Sequence, residues 1–260
     1  MKQYVTMCRM FALFGESGRS IPRSFLEKFI KTCHWGKWRQ GDFIGHHGMG
    51  WGVLWLDKSD RIRTFRSLLP IWRSNWRALL KLNSRCIVVH ARFCPPWAIS
   101  SSDVHPITEN KRLYMFHNGI IATDSIPPPE HGRLKKKFNN TGMDTRRYLL
   151  SLQGELESAG GDLGFQSMKK ALDAILPNFN LKPSANAFIV TPKGLGIVEY
   201  MKQYPIFKRQ TYVLNMSKIS TSAYCVSVIP FDDTFVRIPN HAAVYYDFQK
   251  NSLNLAQINH

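Results

Sequence analysis

Two helical patterns lie back to back between residues 144 and 176, and strand-like runs stand on both sides of them. Asp144 precedes Thr145 at a cap position, and Tyr148, Leu149, Leu152 and Leu156 then fall on one helical face. A second helix runs from about Leu163 to Leu176, using Met168, Leu172 and Ile175, and Pro177 stops it. The two are near enough in sequence to pack as an antiparallel pair. Strands, then two helices, then strands is the order expected of a layered α+β domain with two stacked sheets.

The first half supplies the leading strands. Residues 8–14 read as a strand with Cys8 at its mouth, and Gly15 to Ser20 as a turn. Pro22 fits the first position of a helix that carries Phe25, Leu26, Phe29 and Ile30 at helical spacing. Residues 32–47 read as loop and Trp51 to Leu56 as a strand. Pro70 opens another predicted helix, with Ile71, Trp72, Trp76, Leu79 and Leu80 on an apolar face. Arg73, Arg77 and Lys81 form a basic stripe on it, which is either a solvated face or a site for an anionic partner. Cys86 to Arg92 is a short apolar run that delivers His90 and Arg92 at its end, and residues 93–106 are loop. Residues 112–117 form a strand that ends in His117-Asn118-Gly119, and 123–143 read as a polar surface loop or lid. In the tail, Ala187–Thr191 and Leu195–Tyr200 flank Pro-Lys-Gly as a hairpin. Gln210–Leu214, Ala223–Ile229 and Ala242–Phe248 complete an antiparallel set. No internal boundary or repeat is visible.

Composition narrows the function classes. No run of roughly 18 apolar residues is present, so no membrane helix is expected. The five cysteines, Cys8, Cys33, Cys86, Cys94 and Cys225, are widely spaced and lack the close pairs of a zinc site; free thiols in a reducing cytoplasm are the simplest reading. The net charge of +17 is uneven, with 25 of the 35 basic residues and 10 of the 18 acidic ones before residue 151. Such an excess is a soluble basic surface or attracts nucleic acid non-specifically. The glycines in His46-His47-Gly48-Met49-Gly50-Trp51-Gly52 do not make a dinucleotide fingerprint.

Cys8 follows an internal methionine, Met7, at the start of the first apolar run. By itself it is a buried apolar cysteine or a nucleophile. If translation begins at Met7 or a short leader is clipped, Cys8 becomes the first residue, with a thiol and an α-amine on one framework. The amine is then the base beside the nucleophile.

Met7-Cys8-Arg9, Gly50-Trp51-Gly52, His90-x-Arg92, His105-Pro106, His117-Asn118-Gly119 and Asp144-Thr145 occur in the order seen in one family. Over residues 7–250 the chain resembles the class II glutamine amidotransferase domain of the N-terminal-nucleophile (Ntn) hydrolases. It is most similar to the stand-alone group with the ergothioneine-pathway γ-glutamyl amidohydrolase and the fungal glutathione-degrading subunit. The resemblance implies a four-layer αββα sandwich of two stacked, mainly antiparallel sheets. It implies one domain over residues 8–260, with 1–7 a leader or a misassigned start. Cys8 would attack the γ-amide of glutamine or a γ-glutamyl compound. Asn118 and Gly119 would hold the oxyanion. Arg92 would grip the substrate α-carboxylate, Asp144 its ammonium, and His117 would line the substrate. Trp51, Gly52, His90 and His105 would support the motifs.

The same resemblance calls for no metal and no cofactor, and leaves room for a separate synthase subunit that accepts the ammonia. Asn118-Gly119 also reads as a hairpin turn, and Asp144 as a helix cap. After Arg92 the family usually shows Trp or Tyr, Ala, then Thr or Ser, whereas this chain has Phe93, Cys94 and Pro95. Pro95 lacks the hydroxyl that would bond the substrate. The competing function is a catalytically silent member that binds or regulates an acidic partner or nucleic acid.

Overall fold

The computed structural model describes residues 8–35, 47–93, 100–130, 132–202 and 213–259. Residues 1–7, His46, Cys94, Pro95 and the first part of the strand expected at 210–214 lie outside them. In chain order the elements are β1 (Arg9–Arg19), α1 (Arg23–Trp35), β2 (Trp51–Leu56), β3 (Ile62–Ser67), β4 (Ser84–Ala91), β5 (Ile107–Thr108), β6 (Tyr114–Ile121), α2 (Gly132–Asn139), α3 (Asp144–Ser158), α4 (Phe165–Ile175), β7 (Leu181–Val190), β8 (Gly194–Glu199), β9 (Asn215–Ser220), β10 (Ala223–Ser227), β11 (Val236–Arg237), β12 (Ala242–Asp247) and β13 (Ser252–Gln257), with short 3₁₀ turns between some of them. They form two compact units, each from two stretches of chain: Met1–Pro106 with Pro205–Ile238, and Ile107–Tyr204 with Pro239–His260.

The first unit is built on a seven-stranded antiparallel sheet in the order β11-β9-β10-β1-β4-β2-β3. β1 is central, and its residues from Arg9 through Gly15 are all buried, as an apolar run flanked by strands on both sides requires. The strand continues to Arg19 where a turn was expected. Ser222, far along the chain, accepts Glu16 N–H at 3.0 Å, and a Cβ on Gly15 would sit 2.3 Å from its carbonyl oxygen. Glycine here permits a close approach rather than a turn.

α1 lays Leu26, Phe29 and Cys33 on the sheet face made by Phe11, Leu13, Val53, Ile87 and Val89. Phe11 and Phe29 meet edge to face at 4.9 Å. Pro22 stands one residue outside the helix, its carbonyl accepting Leu26 N–H.

The helix expected from Pro70 is instead two 3₁₀ turns, Ile71–Arg73 and Trp76–Lys81. Ser74 between them is extended (φ −100°, ψ 169°). Its hydroxyl accepts the Trp51 indole N–H at 2.9 Å and donates to Pro70 O at 3.0 Å, so tertiary bonds break the helical pattern. β3, unforeseen from its largely exposed sequence, edges the sheet as a hairpin with β2.

The second unit carries a six-stranded antiparallel sheet in the order β13-β12-β8-β7-β6-β5. α3 and α4, placed close to expectation, bury Tyr148, Leu149, Leu152, Leu172 and Ile175 in one core with Met115, Ala187, Ile189 and Val198 of the sheet. The excursion at 123–143 is not all loop: it holds α2, whose Leu134 and Phe138 join the same core. The predicted β7–β8 hairpin forms, with Thr191 Oγ1 accepting the N–H groups of Lys193 and Gly194 at its turn. Among the described residues no helix is long and apolar enough to cross a membrane.

Candidate active site

Six of the singled-out residues belong to the first unit. Cys8 is half-buried directly before β1, and its thiol points at Phe93 O, 3.9 Å away. Arg9 pairs with Ala91, so Cys8 and Arg92 lie one residue beyond the same rung of the β1–β4 ladder. Arg92 is pinned through its backbone: its N–H donates to Gly50 O at 2.9 Å and its carbonyl accepts Met49 N–H at 3.2 Å. Gly52 sits opposite His90, and a Cβ on it would lie 2.0 Å from His105 O, so the missing side chain brings the His105 backbone onto β2. The buried rings of His90 and His105 face each other at 4.2 Å. Trp51 turns the other way, into the core, with its indole N–H on Ser74 and its ring against Phe65.

Arg9, part of the Met7-Cys8-Arg9 motif but given no role of its own from the sequence, is fully buried. Burial pushes the Cys33 thiol well above its ordinary range; the Arg9 cation pulls it down and the Cys8 thiol pushes it up. A guanidinium and two thiols therefore share one neighbourhood at the start of β1. The visible signal was a charge directly after Cys8 in an apolar run, which strand patterning discounts.

The remaining four candidates belong to the second unit. His117, Asn118 and Gly119 lie within β6, which continues to Ile121 rather than ending at them. The Asn-Gly pair is therefore not a turn. A Cβ on Gly119 would be 1.7 Å from Ser184 O, and Ser184 Oγ donates to Asn118 O at 2.7 Å.

His117 Nδ1 is 2.9 Å from Thr145 Oγ1. Burial lowers the His117 pKa, and the nearby Asp144 carboxylate opposes the shift. Asp144 opens α3 and accepts Thr145 N–H on Oδ1 at 2.6 Å and Ile121 N–H on Oδ2 at 3.0 Å. The cap position itself is Met143, so Asp144 is the first helical residue rather than the expected cap. It ties the helix start to β6, and because Oδ1 also accepts the Thr145 hydroxyl at 3.3 Å, only Oδ2 keeps a lone pair for a further donor.

Asn118 also stands in register opposite Asn186. Asn186 donates to Glu199 Oε2 at 2.8 Å and accepts Tyr200 N–H at 2.8 Å. Asn118, Asn186 and Glu199 are all fully buried, a polar row across β6, β7 and β8. Sequence reasoning missed Asn186 and Glu199 because each lies inside an apolar run, and the pairing that aligns them exists only in the sheet. Among the described residues no group of three His, Cys, Asp or Glu side chains is placed to hold a metal ion.

Solved structures resemble the chain over nearly its whole length. Glutamine phosphoribosylpyrophosphate amidotransferase of B. subtilis, solved with ADP and GMP, has a TM-score of 0.60 at 14% identity, covering 97% of this chain and 49% of its own. A glutamine aminotransferase class-II domain protein of Silicibacter pomeroyi gives 0.59 at 14% identity, over 97% of this chain and 100% of the other. A predicted glutamine amidotransferase of Pseudomonas aeruginosa gives 0.54 at 13% identity, over 95% and 98%. The chain thus spans about half the length of the first and nearly all of the other two. No protein-family model and no curated protein matches the sequence. The structural likeness shows the fold, which is the α+β Ntn-hydrolase sandwich.

Proposed function

We propose that the protein is a class II glutamine amidotransferase-type hydrolase that cleaves the γ-amide of glutamine or a γ-glutamyl compound through a cysteinyl thioester. The observation that carries this reading is the position of Cys8: it stands immediately before the central strand of the seven-stranded sheet, its thiol half-buried, in a chain of the Ntn-hydrolase fold. The reading requires Cys8 to bear a free α-amine. Such an amine titrates at roughly 7.7–8.0, so a fraction is already neutral at physiological pH.

In this reading the thiol sulfur attacks the γ-carbonyl carbon and its proton passes to the α-amine. The carbonyl becomes an oxyanion, which the Asn118 carboxamide and the Gly119 N–H stabilise. The tetrahedral adduct collapses, the C–N bond breaks, and the leaving nitrogen takes the proton as ammonia or amine. Water then adds to the thioester by the same route and releases the γ-carboxylate and the free thiol. Arg92 holds the α-carboxylate with two parallel bonds. Asp144 holds the α-ammonium with the capacity left on Oδ2, and His117 orients Thr145 beside it. Ammonia is released or passed to a separate synthase chain. Among the described residues no cysteine is held in a disulfide, which suits a reducing cytoplasm.

Protein whose mass and N-terminal sequence show Cys8 first is treated with a glutamine-like electrophile, and the label is mapped. We expect single labelling on Cys8, amide hydrolysis by the unlabelled protein, and loss of both in Cys8→Ala. A chain that begins at Cys8, folds, and neither labels nor hydrolyses γ-glutamyl amides would make the protein a silent member of the fold that binds rather than turns over.

A further inference from the structure

We propose that the first unit carries a second binding site, for a small amphipathic anion: an aromatic or branched apolar body bearing one carboxylate. A cavity of about 520 Å³ lies along β2 and β3 beneath the two 3₁₀ turns, inside the roughly 300–1,000 Å³ range of small-molecule pockets. Buried Trp51, Val53 and Leu79 form its floor. Trp55 and Phe65 wall it with aromatic surface, and Phe65, though tilted against the Trp51 ring at 5.4 Å, is still half exposed.

The polar lining is sparse and of one sign. Arg73, Asn75 and the hydroxyls of Ser67 and Ser74 border the cavity, and among the described residues no acidic side chain does. Neighbouring arginines are engaged: Arg61 and Arg63 with Asp57, Arg85 with Asp60, and Arg66 with the Val104 carbonyl. Among the described residues nothing hydrogen-bonds or ion-pairs with the Arg73 guanidinium or the Asn75 carboxamide. A fork of N–H donors beside an apolar, aromatic chamber suits a carboxylate on a hydrophobic body.

The break at Ser74 creates this arrangement. An unbroken helix would have placed Arg73, Arg77 and Lys81 in one solvated stripe. The Trp51–Ser74–Pro70 bonds instead leave Arg73 and Asn75 flanking the break at the cavity, while Arg77 stacks over the Trp76 ring at 4.6 Å. A peptide strand is the poorer occupant, because Arg63 and Arg66 on the edge strand β3 oppose strand addition. The inference does not rest on the amidohydrolase reading.

Two fluorescent probes test it on the full chain: 1-anilinonaphthalene-8-sulfonate, an anion on an apolar body, and its uncharged analogue N-phenyl-1-naphthylamine. We expect one saturable site for the sulfonate, with energy transfer from tryptophan, and about tenfold weaker binding of the neutral dye. Arg73→Gln should bring the sulfonate down to the neutral dye's affinity and leave the neutral dye unchanged. Ala78→Trp, which fills the cavity, should remove both, with cooperative urea unfolding as the check on folding. Absence of a saturable site, equal affinities of the two dyes for the wild type, or sulfonate binding untouched by Arg73→Gln would overturn the proposal. Should Ala78→Trp not fold, the two-dye comparison in Arg73→Gln decides alone.

Discussion

At residue scale, Asn118 and Gly119 illustrate how a sequence signal and its meaning separate. Asn-Gly is the strongest short hairpin signal, yet here both residues lie inside a strand, because the missing Cβ of Gly119 lets the Ser184 carbonyl close against it. If Asn118 donates to the oxyanion, Asn118→Ala should lower kcat by about 10²–10³ with KM little changed, measured on γ-glutamyl amide hydrolysis. An equal loss in KM would assign it to ground-state binding.

His117 gives a pH prediction. Burial holds its folded-state pKa below the ordinary 6.5, so the unfolded chain takes up a proton at higher pH than the folded one. Its contribution to stability is complete above 6.5 and falls as pH drops from 6.5 to the lower folded value. The urea midpoint should therefore fall between about pH 7.5 and about pH 5.5, and fall less in His117→Gln.

At element scale, periodicity identified the segments whose burial is one-sided. α1, α3 and α4 came out close to their expected spans because an apolar stripe against one sheet face is a local pattern. Phe29, buried in α1 against Phe11, is the test of that packing: Phe29→Ala should cost about 3–5 kcal/mol in urea unfolding, and a loss under about 1 kcal/mol would mean that α1 does not hold to the sheet. The segment at 71–81 has the same apolar spacing but not the same outcome. Its helix loses to a hydroxyl–indole bond between residues far apart in sequence, Ser74 and Trp51, which no window over 71–81 contains. β3 and β13 escaped notice for the opposite reason: they sit at sheet edges with much of their surface exposed and lack a strong apolar alternation.

At the scale of the whole molecule, charge and topology matter most. The basic excess concentrated before residue 151 predicts weak, salt-sensitive adsorption to nucleic acid. On a DNA column the protein should be retained at low ionic strength and elute at moderate salt with no preference for sequence; retention that survives moderate salt would point instead to a built interface. Each unit is assembled from two separated stretches, and β1 is paired on one side by β4 and on the other by β10, from beyond residue 220. By itself the sequence determined α1, α3 and α4, the buried strands at 9–14, 51–56 and 86–91, and the residue types at Cys8, Arg92, Asn118 and Asp144, because one-sided burial and short motifs are local properties. Only the tertiary structure decided that β1 is central, that Asn118 stands opposite Asn186 and Asn186 in turn bonds Glu199 across a sheet, that Arg9 is fully buried, and that the 71–81 helix breaks over a cavity. Those outcomes depend on strand register and on hydrogen bonds between distant residues, and both come into being only when the chain folds.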